Sequence, residues 1–415
     1  MTSYGLLVIG SGPAGVSAAQ AYLAAGGPGP VVLLTADQDE PYERPPLSKD
    51  SLAGPGEPAR TPISEAKLPK DVELRLGTTV TAIDLQARTV TAGEETLGFQ
   101  RLIVATGSRP LPLAGADADA DIHTLRFLED ARRLTQAADH GRTALVIGSG
   151  FIGCEAAASL ARRGLQTTLV TPESGPQQKR LGGYAAQQIT SWLTDLGIEV
   201  RTGVEVTGVQ APRTVHLSDG HTLAPDLILA AVGIAPQGDL LGDAGVQTHQ
   251  GRVVVDEHLQ AAPGVWVAGD VARGLHGVAQ RALSVEHWGD ALAMGEVAGA
   301  NAAASDDGAQ QTWNETPGFW STIGEHTLQY SAWGDGYEHE EVVERVGGFT
   351  IWYADADQRV VGVLTYNAEP DYERGGRLIA AGATLEQALR GDDAPEPDAE
   401  PDADSDEDSA EDGAG

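Results

Sequence analysis

The chain has 415 residues, 41% of them hydrophobic, and a formal net charge of -33, which suits roughly two to four domains with substantial cores. So acidic a protein is excluded as a general binder of nucleic acid or anionic lipid. It has no run of about 18 apolar residues to span a membrane, no basic leader, and a single cysteine, Cys154, that can form no internal disulfide.

The chain therefore reads as cytoplasmic, with no membrane partner. No histidine or cysteine cluster has metal-ligand spacing, so no metal site is expected. Residues 6–9 predict a buried strand, followed by a GxGxxG turn at Gly10, Gly12 and Gly15, with Pro13 and Ala14 inside it, and a helix of small residues over 16–25. In such a turn the first glycine permits the bend and the second lets the backbone approach a pyrophosphate. The third seats helix on strand, and the helix N-terminus faces the phosphates. Residues 31–35 predict a second strand, and Asp37 just past it stands where a carboxylate can accept hydrogen bonds from adenosine ribose hydroxyls.

The segment 41–49, PYERPPLSK, is expected to be a stiff extended connector, because paired prolines fix the backbone. It can present Arg44 and Lys49 beside a nucleotide. Lysine is scarce, with only Lys49, Lys67, Lys70 and Lys179 in the chain, so one inside a motif stands out. Residues 62–97 predict a small β-meander containing Val80. Residues 101–110 predict a buried strand ending in Ala105, Thr106 and Gly107, small enough for the backbone to pass close to a ligand.

After a polar linker over 114–121, the opening pattern returns in residues 144–155, with Gly148, Gly150 and Gly153 framing Phe151 and Ile152. A strand at 145–147, a helix to 163 and a strand at 167–170 complete the unit. Two such units imply two dinucleotide sites far more specifically than one. Past the second unit come Thr171, Pro172 and Glu173, then Lys179 and Arg180. An acid there favours NAD and a cation favours NADP, so these residues leave NADH and NADPH both open.

Residues 183–196 predict a helix, and 200–229 alternate as short strands and turns. The run LILAAVGIAP, containing Gly233, leads the chain back out of an inserted domain. VWVAGD, 265–270, predicts a strand that delivers Asp270 where it can accept from flavin ribityl hydroxyls, and a helix starting at Glu286, His287 and Trp288 runs to about 300. From Trp313 the composition turns β-rich, with a hairpin of 349–353 and 360–366 and a closing helix over 377–389. The last 25 residues hold 12 acids and no base and predict a disordered, solubilising tail.

The predicted fold class is α/β, with two Rossmann-like dinucleotide-binding domains. The first, 1–112 and 239–312, is interrupted by the second, 113–238; a β-rich α+β domain, 313–391, and the acidic tail, 392–415, follow. Two dinucleotide sites suggest electron transfer from a nicotinamide to a flavin. Disulfide-reducing flavoenzymes need a cysteine pair and flavin peroxidases a reactive cysteine in the first domain. Neither is present, so electrons must leave the flavin by another route.

With GSGPAG, PYERPPLSK, VATGSRP, IGSGFIGCE, VAGD, VEHW and PGFW in this order, the chain resembles the FAD-dependent ferredoxin reductases of bacterial oxygenase systems, the putidaredoxin and rubredoxin reductase type, from about residue 5 to about residue 380. The resemblance implies non-covalent FAD, hydride from NADH or NADPH, and single electrons passed to a small iron-sulfur protein, a ferredoxin or rubredoxin, that feeds an oxygenase. The protein would be a monomer or homodimer. By position, Ala14, Asp37, Lys49, Val80, Arg126, Asp270 and Trp288 match flavin-contacting residues, joined by Arg44 and Trp320.

Lys49 and Glu155 match the pair beside the flavin ring in such enzymes, where a cation favours the negative charge that develops on reduction. Thr171 stands where NADH-preferring relatives often carry an acid, which points to a relaxed or NADPH-tolerant site. The competing readings are an NAD(P)H oxidase or quinone reductase without a protein partner, and a slow-turnover binding flavoprotein resembling apoptosis-inducing factor. An acidic ferredoxin would need a local basic patch, for which Arg44, Arg60, Lys67, Lys70, Arg101 and Arg109 are the candidates.

Overall fold

The apolar run that opens the chain becomes β1 (Ser3–Ile9), buried along all but its first residue, because strands covered on both faces have no solvent side to leave polar. The computed structural model describes residues 2–304 and 308–391. In it, β1 sits between β2 (Val31–Leu34) and β6 (Glu95–Val104), parallel to both, and β3 (Val72–Arg75) lies parallel to β2. The predicted meander is thus corrected at its first strand. β3 joins the parallel sheet, and only β4 (Val80–Asp84), β5 (Thr89–Ala92) and β6 pair antiparallel in succession.

Val265–Val267 adds to the free side of β6, also parallel. The first sheet is therefore finished only after the chain has built a second one, as an interrupted nucleotide fold requires. The helix α1 (Pro13–Ala24) follows β1 with Pro13 at its first turn, where a missing N–H costs nothing. The same rule corrects the proline-rich segment: Pro45–Ser48 is a 3-10 turn, not an extended connector, and it runs into α2 (Asp50–Ala53).

The second sheet is wholly parallel, in the order Glu199–Arg201, Gln166–Val170, Thr143–Ile147, Leu227–Ala230. It is flanked by α3 (Leu128–His140), α4 (Phe151–Arg162) and α5 (Gln178–Asp195), the last broken at Gly182. The two crossovers between the units pair with each other, Ser108–Pro110 antiparallel to Ile234–Pro236, and α6 (Asp239–Asp243) follows.

The returning helix α7 (Trp288–Ala303) packs on α1 at backbone contact. A Cβ at Gly295 would lie 2.3 Å from the Ala14 carbonyl oxygen, and one at Gly299 2.2 Å from that of Ala18. A five-stranded antiparallel sheet closes the fold, with Gly318–Ile323 at one edge and His339–Arg345 at the other. The predicted closing helix is two helices, α8 (Glu369–Ala380) and α9 (Leu385–Arg390).

Gly375 does not break α8, because its bare Cα is what lets the helix meet Val363: an added Cβ would fall 2.4 Å from Val363 Cγ1. The break comes at Gly382, in the left-handed region, and Thr384 caps α9 by accepting from the Gln387 N–H. No helix among the described residues is long and apolar enough to cross a membrane. The acidic tail, 392–415, lies outside the described residues.

Candidate functional site

Both glycine turns are built by close backbone approach. Gly10 has φ 109°, and a Cβ there would be 2.2 Å from the Ala105 oxygen; one at Gly15 would be 1.9 Å from the Gly10 oxygen. Gly12 faces only Arg44, 3.7 Å from where its Cβ would be. At the end of β2 the Ser11 hydroxyl bonds Thr35 Oγ1 at 2.9 Å, and Thr35 Oγ1 also accepts the Asp37 N–H at 3.2 Å. The Asp37 carboxylate accepts from the Tyr42 hydroxyl at 2.7 Å. Val80 and Trp288 pack on the core of the first sheet.

Across the cleft, Asp270 accepts from Arg126 Nη2 and Ser108 Oγ, both at 2.6 Å. Burial works against its charge, but Arg126, the Ser108 hydrogen bond and Arg44 outweigh it and hold the carboxyl below its ordinary value. Arg44 is lowered to about 10 by enclosure and then by the like charge of Arg126. Asp270 is thus bonded by Arg126 and faced by Arg44, which Asp37 also faces, and Arg126 Nε, buried, has no hydrogen-bond partner among the described residues.

Gly107 leaves room beside the same guanidinium, with an added Cβ 3.6 Å from Arg126 Nη2. Thr106 locks the crossover by donating to the Gln237 carbonyl at 2.9 Å. A cleft is lined by Arg44, Leu47, Ser48, Leu125, Arg126 and Ile152. The two adjacent guanidiniums, the unpartnered Arg126 Nε and the bare glycine turn fit a bound diphosphate.

The second turn repeats the first. A Cβ at Gly148 (φ 101°) would lie 2.3 Å from the Ala231 oxygen, one at Gly153 2.1 Å from the Gly148 oxygen, and Gly150 has nothing within 4 Å. Ser149 bonds Thr171 Oγ1 at 2.8 Å, and Thr171 Oγ1 accepts the Glu173 N–H at 3.2 Å. Thr171 is buried and repeats Thr35. The acid that repeats Asp37 is Glu173, so the place assigned to an acid at Thr171 moves two residues on.

Gly233 (φ 118°) ends the second sheet, its carbonyl accepting from the Leu111 N–H at 3.0 Å. Phe151 meets Phe319 edge-on at 4.3 Å, which brings the second unit against the third sheet. The Cys154 thiol is buried in α4 and pushed up by burial and then by Glu155, so it is not a nucleophile.

The three units meet at one carboxylate. Glu155 Oε2 receives Lys49 Nζ at 2.7 Å and Ser48 Oγ at 2.5 Å, and Oε1 receives Ser321 Oγ at 2.6 Å. One and two turns further along α4 and just past its end, Ser159 donates to the carbonyls of Ser48 and Lys49, and Arg163 to those of Leu52 and Gly54. One helix face therefore clamps the segment from Ser48 to Gly54.

Lys49 Nζ lies 4.9 Å from the ring centre of Trp320, which is 51% exposed. Lys49, 14% exposed, and Trp320 line one pocket together. Sequence reasoning missed Ser48, Ser108, Ser159 and Ser321, because a short hydroxyl has no spacing that distinguishes it.

Four of the six candidate patch cations sit in different elements. Arg44 lines the cleft, Arg60 pairs with Glu40 in a neighbouring loop, Arg101 lies within β6 and Arg109 within the crossover strand.

Residues 4–295 match the pyridine nucleotide-disulphide oxidoreductase family. Over 407 residues the chain is 30% identical to putidaredoxin reductase of Pseudomonas putida, covering 94% of each. It is also 30% identical to the ferredoxin–NAD(+) reductase component of the anthranilate 1,2-dioxygenase system of Burkholderia cepacia, covering 92% of this chain and 96% of that one. Among solved structures it is similar to a chain of the covalent putidaredoxin reductase–putidaredoxin complex, with a TM-score of 0.82 at 27% identity over 94% of this chain and 96% of that one.

Proposed function

The chain belongs to the pyridine nucleotide-disulphide oxidoreductase family, and from that premise we propose that it is a ferredoxin reductase: it takes hydride from NADH onto non-covalent FAD and passes electrons singly to a small iron-sulfur protein that feeds an oxygenase. The observation that carries this reading is the meeting of two dinucleotide turns at the Lys49–Glu155 pair, beside the exposed ring of Trp320. The chain has only one cysteine, so no thiol pair can relay the electrons.

Asp37 would take the adenosine ribose, Arg44 and Arg126 the diphosphate, and Asp270 the ribityl chain of FAD. The bound flavin supplies the hydride acceptor and releases electrons one at a time. Gly148, Gly150 and Gly153 would seat the nicotinamide dinucleotide on the N-terminus of α4, with Glu173 on its ribose. That acid favours NADH, since the 2′-phosphate of NADPH would face a carboxylate.

Lys49 supplies a fixed positive charge, held in place by Glu155 so that no reorganisation is needed during transfer. The domain division proposed is 1–112 with 239–312, 113–238, and 313–391, supported by the order in which the sheets are completed. Location in the cytoplasm fits the lone cysteine.

The test is anaerobic mixing of FAD-loaded protein with NADH, followed by a panel of ferredoxins against oxygen and quinone controls. Fast flavin bleaching and rapid reduction of a ferredoxin are expected. Turnover with quinone or oxygen at rates above any ferredoxin would overturn the assignment.

A further inference from the structure

The carboxylate of Glu155 is 5% exposed and draws its donors from two directions. Ser48 and Lys49, from the 3-10 turn of the first unit, both reach Oε2. Oε1 receives Ser321, which lies on Gly318–Ile323, the edge strand of the third sheet, and is itself fully buried. A carboxylate held at one oxygen can still swing about its last torsion, which is broad and soft. Held at both, it cannot.

We propose that Ser321 is a positioning residue for hydride delivery: its hydroxyl fixes the rotation of Glu155, and through it the place of the Lys49 ammonium. This rests on the ferredoxin-reductase reading only for what Lys49 is positioned to do. The hydrogen bonds themselves tie three units together whatever the reaction.

Without the Ser321 hydroxyl, Oε1 is a buried acceptor with no donor, which is costly to leave unmade. Turning Glu155 to relieve it loosens Ser48 or Lys49, so the 3-10 turn loses its anchor on α4. Trp320 and Ser321 are neighbours on one edge strand, yet each serves the same ion pair. Trp320 lies beside Lys49, and Ser321 bonds Glu155. The third sheet therefore sets the geometry of the pair from both ends.

The test compares Ser321→Ala, Glu155→Gln and the double variant by two readouts. The first is hydrogen exchange over residues 45–53, in protein stripped of FAD and in the loaded enzyme. The second is the rate of flavin reduction by NADH. Ser321→Ala is expected to raise exchange in that segment in both forms. It is also expected to slow reduction roughly tenfold, the scale of one hydrogen bond to a charged group.

In the Glu155→Gln background the same substitution should change the rate less than about twofold, because its route of action is already gone. Equal losses in both backgrounds, or exchange and rate unchanged by Ser321→Ala, would overturn the proposal. If the alanine variant does not retain FAD, Ser321→Cys keeps the volume, weakens the donor and is judged by the same outcomes. Failure of NADH to reduce the wild-type flavin would instead overturn the functional reading and leave the exchange result to decide Ser321.

Discussion

Glu173 occupies in the second nucleotide unit the place that Asp37 occupies in the first. The N–H of each is received by a strand-end threonine hydroxyl at 3.2 Å, and the carbonyl of each accepts a glycine N–H, Gly77 at 2.9 Å for Asp37 and Gly203 at 2.8 Å for Glu173. The side chain is fixed as well, with Oε2 accepting the Lys179 N–H at 2.9 Å. Glu173→Ala is expected to lower kcat/KM for NADH by about tenfold or more, the scale of a lost hydrogen bond to a charged group, and to raise it for NADPH, whose 2′-phosphate no longer faces a carboxylate. Steady-state kinetics with ferricyanide as acceptor would check it. An unchanged ratio of the two cofactors counts against the ribose role.

The Lys49–Glu155 pair is nearly closed to water, with side chains 14% and 5% exposed. Removing one partner of such a pair leaves the other charge buried and uncompensated, at a cost of about 3–5 kcal/mol. Lys49→Met should therefore lower the unfolding temperature as well as slow flavin reduction by NADH at least about tenfold, while FAD remains bound through residues on the far side of the cleft. Stopped-flow absorbance gives the rate and calorimetry the stability. Unchanged reduction would remove Lys49 from the chemistry.

Much of this arrangement is legible in the chain because backbone geometry demands particular residues. Gly10 and Gly148 sit at φ 109° and 101° within contact of a neighbouring carbonyl, so nothing but glycine serves, and the motif shows. Asp270 is legible because a buried strand ends just before it.

Other features are hidden by tertiary context. Gly375 looks like a helix breaker and is instead the point where α8 touches Val363. Glu173 is obscured because Lys179 and Arg180 follow it within a few residues, so the charges past the second strand point both ways. Ser48 and Ser321 meet Glu155 from distant segments, and no period in the chain marks them.

Trp320 is half in solvent, and Lys49 lies behind it. Under the ferredoxin-reductase proposal this exposed ring is where the electron acceptor would dock. Trp320→Ala is expected to lower kcat/KM for ferredoxin several-fold, with a smaller effect on flavin reduction by NADH. Arg162 and Asp50 both border the pocket that Trp320 and Lys49 line, and the chain as a whole carries a net charge of -33. An acidic ferredoxin will thus meet net repulsion at long range, and raising ionic strength, which shortens the screening length, should speed the reaction. A rate that falls with salt would show that local cations dominate.

His276 is fully buried and neutral by its bonding: Nδ1 accepts the Ala279 N–H at 3.0 Å, and Nε2 donates to the Glu315 carbonyl at 2.8 Å. Its ring packs between Trp313 and Trp333 at 4.7 and 5.1 Å. Burial lowers its pKa, with Arg281 acting in the same sense and the Glu315 carbonyl and Asp290 only partly opposing.

The folded protein thus holds this proton more weakly than the unfolded chain, where the imidazole titrates near about 6.5. The stability this group contributes is complete above that value and is lost as pH falls below it, at up to about 1.4 kcal/mol per pH unit. A second proton would also turn Nδ1–H against the Ala279 N–H. Thermal unfolding of the wild type should show a flat unfolding temperature from pH 8 to pH 7 and a fall by pH 5.5. His276→Gln, which cannot titrate, should start lower and fall less over the same interval. Parallel curves for the two proteins would show that the acid sensitivity arises elsewhere, with His123 and His326, also lowered by burial, the next histidines to replace.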